Sequence, residues 1–167
     1  MKNKLGLVTG SFDPITVGHL DIITRAAKIF DRVIVVVAHN EEKTYMFTPS
    51  ERLEIVSQAI KDIDGVSAEL CDGLVADFAK ERGADAFVRG IRDGNDVAYE
   101  QNMADINFAN SGVDTVMLFA KPQFHSISST ALRNALLNGE SVDNLVPAGA
   151  LDYVKKCYAL KKQSAKS

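Results

Sequence analysis

Across its 167 residues the chain has only two cysteines, Cys71 and Cys157, far apart and without companion ligands. A zinc site is thereby excluded, and free thiols in a reducing compartment are the expectation. No apolar stretch is long enough to span a bilayer, and no basic start followed by an apolar middle marks a leader, so the sequence reads as cytoplasmic, with no membrane partner. Basic excess is missing as well. The formal net charge is −3, with no basic stripe and no interleaved aromatics, which argues against nucleic acid as a partner. There is no internal repeat, low-complexity block or linker. Both the three-glycine dinucleotide fingerprint and the Walker lysine-serine pattern are absent, so neither of those phosphate cradles applies. No nucleophilic triad is visible, because no acid is placed in sequence to orient a histidine beside a serine.

What remains is a regular alternation of apolar patterns. Leu5 to Val8 reads as a short buried strand, and a helix from Gly18 to Phe30 follows it. Val33 to Ala38 is a continuous run, largely β-branched, the mark of a strand covered on both faces. Thr48-Pro49-Ser50-Glu51 opens the next helix, with Thr48 as N-cap, Pro49 at the first position and Glu51 completing a capping box. Further strands are expected at Val66 to Leu70, Ala86 to Val88 and Thr115 to Phe119. Further helices are expected at Leu74 to Glu81, Val97 to Ala109, Ala131 to Leu137 and Pro147 to Leu160. Parallel crossovers need such helices, so the fold class is α/β: one domain over residues 1–160, a doubly wound parallel five-stranded sheet with helices on both faces. Residues 161–167 read as a polar, fraying tail.

In open sheets of this kind, ligands sit at the carboxyl ends of the strands. The loop after the first strand contains Gly10, Ser11, Phe12, Asp13-Pro14, Thr16, Gly18 and His19. A glycine turn feeding a helix start offers backbone N–H groups and the positive helix end to an anion, with Ser11 and His19 as added donors. Asp13 is explained by its turn. Lys43 follows the second strand. Arg89 and Arg92 bracket Gly90-Ile91 after the fourth strand, and guanidinium forks match phosphate oxygens. Ser128, Ser129 and Thr130 supply more hydroxyls than one N-cap requires and make a second anion cradle at a helix start. Phosphate donors and a histidine with no evident base suit phosphoryl or nucleotidyl transfer, in which an anionic phosphate needs no deprotonation to attack. A binding module without catalysis would need the glycines and hydroxyls, but not His19 together with Lys43 and Arg92.

Thr16-Val17-Gly18-His19 and Ile127-Ser128-Ser129-Thr130-Ala131-Leu132-Arg133 resemble the paired signatures of the nucleotidylyltransferase superfamily, whose fold is Rossmann-like. Gly10 to Thr16, Lys43 with Met46-Phe47-Thr48, Val88 to Arg92 and Tyr99-Glu100 narrow the likeness to the bacterial phosphopantetheine adenylyltransferase family, over about Lys4 to Leu160. Departures from its common pattern are Thr9 for proline, Thr44 for a second lysine and Thr130 for serine. The resemblance implies adenylyl transfer from ATP to 4'-phosphopantetheine in coenzyme A synthesis, with Mg²⁺ and no protein metal site. It also implies a homohexamer and coenzyme A as a feedback ligand. By matching position, His19, Ser11, Lys43 and Arg92 are the catalytic group. Ser11, Phe12, His19, Gly90, Ile91, Arg92, Glu100 and the run Phe124, His125, Ser126, Ile127, Ser128, Ser129, Thr130 hold ATP. Ser11, Lys43, Val75 and Arg89 line the phosphopantetheine side. The alternative is another nucleotidylyltransferase, acting on nicotinamide mononucleotide or a cytidylyl acceptor. Lys43, Arg89 and Tyr99-Glu100 favour the pantetheine branch.

Overall fold

The computed structural model describes residues 3–165. Five strands, β1 (Leu5–Gly10), β2 (Arg32–Ala38), β3 (Val66–Cys71), β4 (Ala86–Ile91) and β5 (Asp114–Phe119), form one sheet in the order β3-β2-β1-β4-β5. Every pairing is parallel, with Leu5 to Gly10 of β1 in register against Arg32 to Val37 of β2. The chain winds outward from β1 to β3, then returns across β1 to lay down β4 and β5. The strand order therefore reverses between β1 and β4, and a crevice opens at their carboxyl ends.

Six helices cover the sheet: α1 (Val17–Ala26), α2 (Pro49–Ile60), α3 (Val75–Arg82), α4 (Gly94–Ser111), α5 (Ser129–Asn138) and α6 (Leu151–Ser164). The two-residue period of β2 decides which side chain meets which layer. Val33, Val35 and Val37 join a core with Ile23 of α1, Ile55 of α2, Leu132 of α5 and Val154 of α6. Ile34 and Val36 face the other way, onto Phe78 and Ala79 of α3. The run read as buried on both faces is buried on both faces. The capping box of α2 also forms as expected: Thr48 Oγ1 accepts the Glu51 N–H, and Glu51 accepts the Thr48 N–H at 2.8 Å.

Several boundaries differ from the sequence reading: β4, for one, runs on through Arg89 to Ile91, and at three helices the cause is local. Helix α1 stops at Ala26 rather than Phe30, because the Lys28 and Ile29 amides bond three residues back and tighten the chain. That turn lays the Phe30 ring over Gly6, where a Cβ would lie 2.7 Å away. Helix α4 starts at Gly94 rather than Val97, since the Asp93 carboxylate caps the Asn95 and Asp96 amides. Helix α6 follows a single 3₁₀ turn at Ala148–Ala150 and runs on to Ser164, with Lys161 Nζ 2.7 Å from the Glu51 carboxylate of α2. Four residues assigned to the tail are thus helical; residues 166 and 167 lie outside the described residues.

The same 3₁₀ turn is packed tightly onto α2. A Cβ on Gly149 would sit 2.7 Å from the Gln58 carbonyl oxygen, a backbone atom that has no rotamer to escape into. Gly149→Ala is therefore expected to destabilise the fold by roughly 1–3 kcal/mol. A thermal melt reads this as a midpoint lowered by several degrees, and an unchanged midpoint contradicts it.

Candidate active site

A pocket of about 390 Å³ fills the crevice between β1 and β4. Thr9, Gly10, Ser11 and Phe12 come from the end of β1 and its loop, and Gly18, His19 and Ile22 from the first turns of α1. Arg89, Gly90 and Arg92 come from β4 and its loop, Asp96 and Glu100 from α4. Phe124, Ile127, Ser128, Ser129, Thr130 and Arg133 close the pocket from the side of α5. Two helix starts and three guanidinium groups thus face one space, and that combination attracts phosphate.

The orientation of His19 is built into the start of α1. Thr16 is the N-cap and His19 the third residue of the helix, so the two form a reciprocal capping box. The Thr16 backbone N–H donates to His19 Nδ1 at 3.0 Å, and Thr16 Oγ1 accepts the His19 N–H at 3.3 Å. Because a backbone amide can only donate, Nδ1 is the acceptor and a neutral ring carries its proton on Nε2. The Phe12 ring meets the imidazole edge-on, centroids 5.2 Å apart. Burial, then the positive charges of Arg89 and Arg92, lower the pKa of His19 from 6.5 to about 4. The pocket is lined by a neutral imidazole whose proton is on Nε2.

The basic residues are held by acids. Arg89 makes a two-pronged bond to the buried Glu100, Nε to Oε2 at 2.7 Å and Nη2 to Oε1 at 2.8 Å, while its Nη1 donates to the Thr9 carbonyl. The Thr9 hydroxyl lies 3.3 Å from the same Nη1. Arg92 is paired with Asp96 at 3.0 Å, which raises the arginine pKa and lowers that of Asp96. Of the three hydroxyls at the start of α5, Ser128 caps the helix through the Ala131 N–H. Ser129 donates to the Pro14 carbonyl at 2.8 Å, and Thr130 Oγ1 accepts from Arg133 at 3.2 Å.

Asp13 does more than turn the chain. Its buried carboxylate accepts the Met46 and Phe47 amides, each at 2.8 Å, and its carbonyl accepts Arg133 Nη1 at 2.8 Å. The β1 loop is thereby joined to the end of the Lys43 loop and to α5. Asp13→Ala orphans two backbone donors, one of them buried, and is expected to cost about 2–4 kcal/mol. Asp13→Asn keeps one acceptor and should lose about half of that. Urea unfolding of both variants checks the order, which a purely local turn role would not produce.

Several residues assigned from the sequence lie elsewhere. Lys43 is exposed on the loop after β2, and Val75 opens α3 after β3; both stand over the β2–β3 half of the sheet's carboxyl edge, outside this pocket. Ile91 is buried at the end of β4. His125 and Ser126 are exposed, with the His125 ring against the Ala120 carbonyl at 3.1 Å. The sequence reading did not place Thr9, Asp96 and Arg133 among the site residues, nor the hold that Thr16 has on His19. The last had a signal, since a threonine three residues before a histidine at a helix start has capping-box spacing. Arg92 and Asp96 also stand at a pairing distance of four.

A parallel sheet with its phosphate-attracting pocket at the strand-order reversal, and a donor histidine in the first turn of the following helix, is a nucleotidyltransferase arrangement. The family model described as cytidylyltransferase-like matches residues 7–135. Among curated proteins, the phosphopantetheine adenylyltransferase of Cutibacterium acnes is 50% identical over 139 residues, 83% of this chain and 88% of that protein. The phosphopantetheine adenylyltransferases of Leuconostoc mesenteroides (39% identical, 92% of this chain, 95% of the relative) and Porphyromonas gingivalis (40%, 89% and 97%) are similar along nearly their whole length. The chain belongs to the phosphopantetheine adenylyltransferase family.

Proposed function

We propose that this nucleotidyltransferase moves the adenylyl group of ATP onto the phosphate of 4'-phosphopantetheine, giving dephospho-coenzyme A and pyrophosphate. The observation that carries the mechanism is His19, which lines a pocket between two helix starts and is held through Nδ1 by the Thr16 amide, so that its proton is on Nε2. In an in-line displacement an acceptor phosphate oxygen forms a bond to the α-phosphorus as the bond to the bridging oxygen breaks, and pyrophosphate leaves. The acceptor is already anionic, so no side chain must take a proton. His19 Nε2–H donates to an α-phosphate oxygen as charge builds there, and the start of α1 adds its partial positive charge. Arg92, Ser11 and the first turn of α5 hold the triphosphate. Lys43 and Arg89 receive the acceptor phosphate.

Mg²⁺ belongs in this reading to the triphosphate. The described residues contain no group of three or more His, Cys, Asp or Glu that could hold a metal. The two pocket carboxylates, Asp96 and Glu100, are taken up by Arg92 and Arg89. These residues do not fit a resident ion, and no step is assigned to one. Among the described residues no helix is long and apolar enough to cross a membrane, and both cysteines are free thiols. The reading is of a cytoplasmic enzyme with coenzyme A, which shares the acceptor's arm, as feedback ligand. Ile106 and Phe108 on α4 and Phe119 at the end of β5 are about half or more exposed, which supports self-association, with the hexamer as its form.

Pyrophosphate release from ATP tests the function, with 4'-phosphopantetheine and nicotinamide mononucleotide as acceptors in turn, and from CTP with a phosphorylated alcohol. Turnover is expected with 4'-phosphopantetheine alone. Preference for either other pair overturns the reading in favour of the alternative, which the relatives' names do not favour. Lys43→Ala refines it. Among the described residues no carboxylate pairs with Lys43, so its loss disturbs no internal bond. Titration calorimetry should show 4'-phosphopantetheine weakened by about tenfold and ATP nearly unchanged, the scale of one charge-assisted contact. Weaker ATP with an intact acceptor would remove Lys43 from the acceptor side.

A further inference from the structure

Among the described residues Arg52 is the largest fully buried side chain, with 0% exposure. It stands in the first turn of α2, yet none of its guanidinium's hydrogen bonds goes to its own helix. Nη1 donates to the Ser11 carbonyl at 2.5 Å and to the Ala38 carbonyl at 2.9 Å, and Nη2 donates to His39 Nδ1 at 2.9 Å. The guanidinium also lies over the Tyr45 ring, 4.1 Å from its centroid. Tyr45 in turn accepts the Asn40 N–H through its hydroxyl at 3.1 Å. Among the described residues no carboxylate lies within ion-pair distance of Arg52, and its Nε has no acceptor.

A buried charge held only by carbonyls, a ring nitrogen and an aromatic face is a poor way to stabilise a core. Apolar side chains of similar volume commonly do as well or better. What the guanidinium achieves is a connection. Its bonds reach the turn that presents Ser11 to the pocket, the end of β2, and both flanks of the loop that carries Lys43. Asp13 fixes the far end of the same loop through Met46 and Phe47. Lys43 itself is exposed and lies outside the pocket containing His19, so its reach toward that pocket depends on how the loop's base is held.

We propose that Arg52 is a positioning residue for group transfer, its guanidinium fixing the Lys43 loop against the Ser11 turn so that acceptor and nucleotide meet in register. This inference rests on the functional reading above, in which Lys43 takes the acceptor. A loop whose base is released no longer holds its lysine within the tolerance that in-line attack requires, and a misplacement of about 1 Å costs on the order of a hundredfold in rate.

The test is a double-mutant cycle on steady-state kinetics with ATP and 4'-phosphopantetheine, using Arg52→Met, Lys43→Ala and the pair. Arg52→Met is expected to lower kcat/KM for the acceptor by about 10- to 100-fold. On the Lys43→Ala background the same change should cost no more than about twofold, since nothing is left for the loop to position. Arg52→Lys keeps the charge without the fork and should recover only part of the loss. Additive losses, or a folded Arg52→Met with wild-type kcat/KM, overturn the inference. Thermal melts accompany every variant. If Arg52→Met does not fold, His39→Ala removes the loop's own acceptor and must show the same non-additivity. An inactive wild type removes the functional reading and the inference with it, whereas an active wild type with additive losses removes the inference alone.

Discussion

His19→Ala should lower kcat by about 10²- to 10³-fold while leaving the KM for ATP and for the acceptor within a fewfold of wild type. That range is the usual cost of deleting one donor aimed at charge that develops in the transition state. In the proposed reading, Arg89, Arg92, the hydroxyls and two helix starts share the ground-state phosphates, so one imidazole adds little to their binding. A contact realised mainly in the transition state shows in kcat, and a contact made equally in the ground state shows in KM. The capping box provides a control on the interpretation. Removing the ring also takes an acceptor from the Thr16 N–H, worth about 1 kcal/mol of stability, which is too little to unfold the enzyme in the assay. His19→Gln can place an amide N–H near the position of Nε2–H, and it should retain clearly more activity than alanine. Near-normal kcat with a raised KM for ATP in the alanine variant would make His19 a ground-state binder.

Much of this layout was legible because it depends on near neighbours. The β-branched run of β2 and the Thr48/Glu51 capping box are local signals, and each stands where its pattern put it. The glycine turn after β1 and the hydroxyls before α5 were also local, and the strand-end rule was enough to bring them to one crevice. The return of the chain across β1 was not local. Strand order depends on which faces find cover, and no window of sequence records that β1 lies between β2 and β4. The same limit hid the clamps. Arg89 and Glu100 are 11 residues apart, Asp13 and Phe47 are 34 apart, and Arg52 and Ser11 are 41 apart. Asp13 read as a turn residue because turns are what aspartate-proline makes locally; its second task exists only once the Lys43 loop folds back over it. Lys43 was read from its place after the second strand and Val75 from resemblance alone, and both stand on the half of the sheet edge away from His19, where an extended acceptor would have to reach.

Between pH 7 and pH 5 the wild type should lose about 2 kcal/mol of folding stability that His19→Gln does not lose. The folded His19 has a pKa of about 4 and the unfolded one 6.5. Between those values the unfolded chain binds the extra proton, so stability falls as pH falls through the window and is fully present only above it. Asp21, Glu51 and Asp96 are also held below their ordinary values, by Lys121, Lys161 and Arg92 respectively, so they too lose stability as pH falls, but only below the ordinary carboxylate range of about 4. Subtracting the glutamine variant from the wild type isolates the histidine, and urea unfolding at the two pH values reads the difference. The same titration fixes the chemistry. A histidine that is neutral from pH 5 to 8 is a donor across that whole range, so the acid limb of kcat/KM belongs to the acceptor phosphate taking its second proton, near pH ~6. That limb should survive in the residual rate of His19→Gln. Were His19 instead a general base, glutamine would be as inactive as alanine, and the limb that the histidine caused would disappear with it. A wild-type limb near pH 6.5 that is absent from the glutamine variant would show a ring that titrates in the working range. It would contradict both the lowered pKa and the donor role, because each requires Nδ1 to stay bonded to the Thr16 amide with the proton on Nε2.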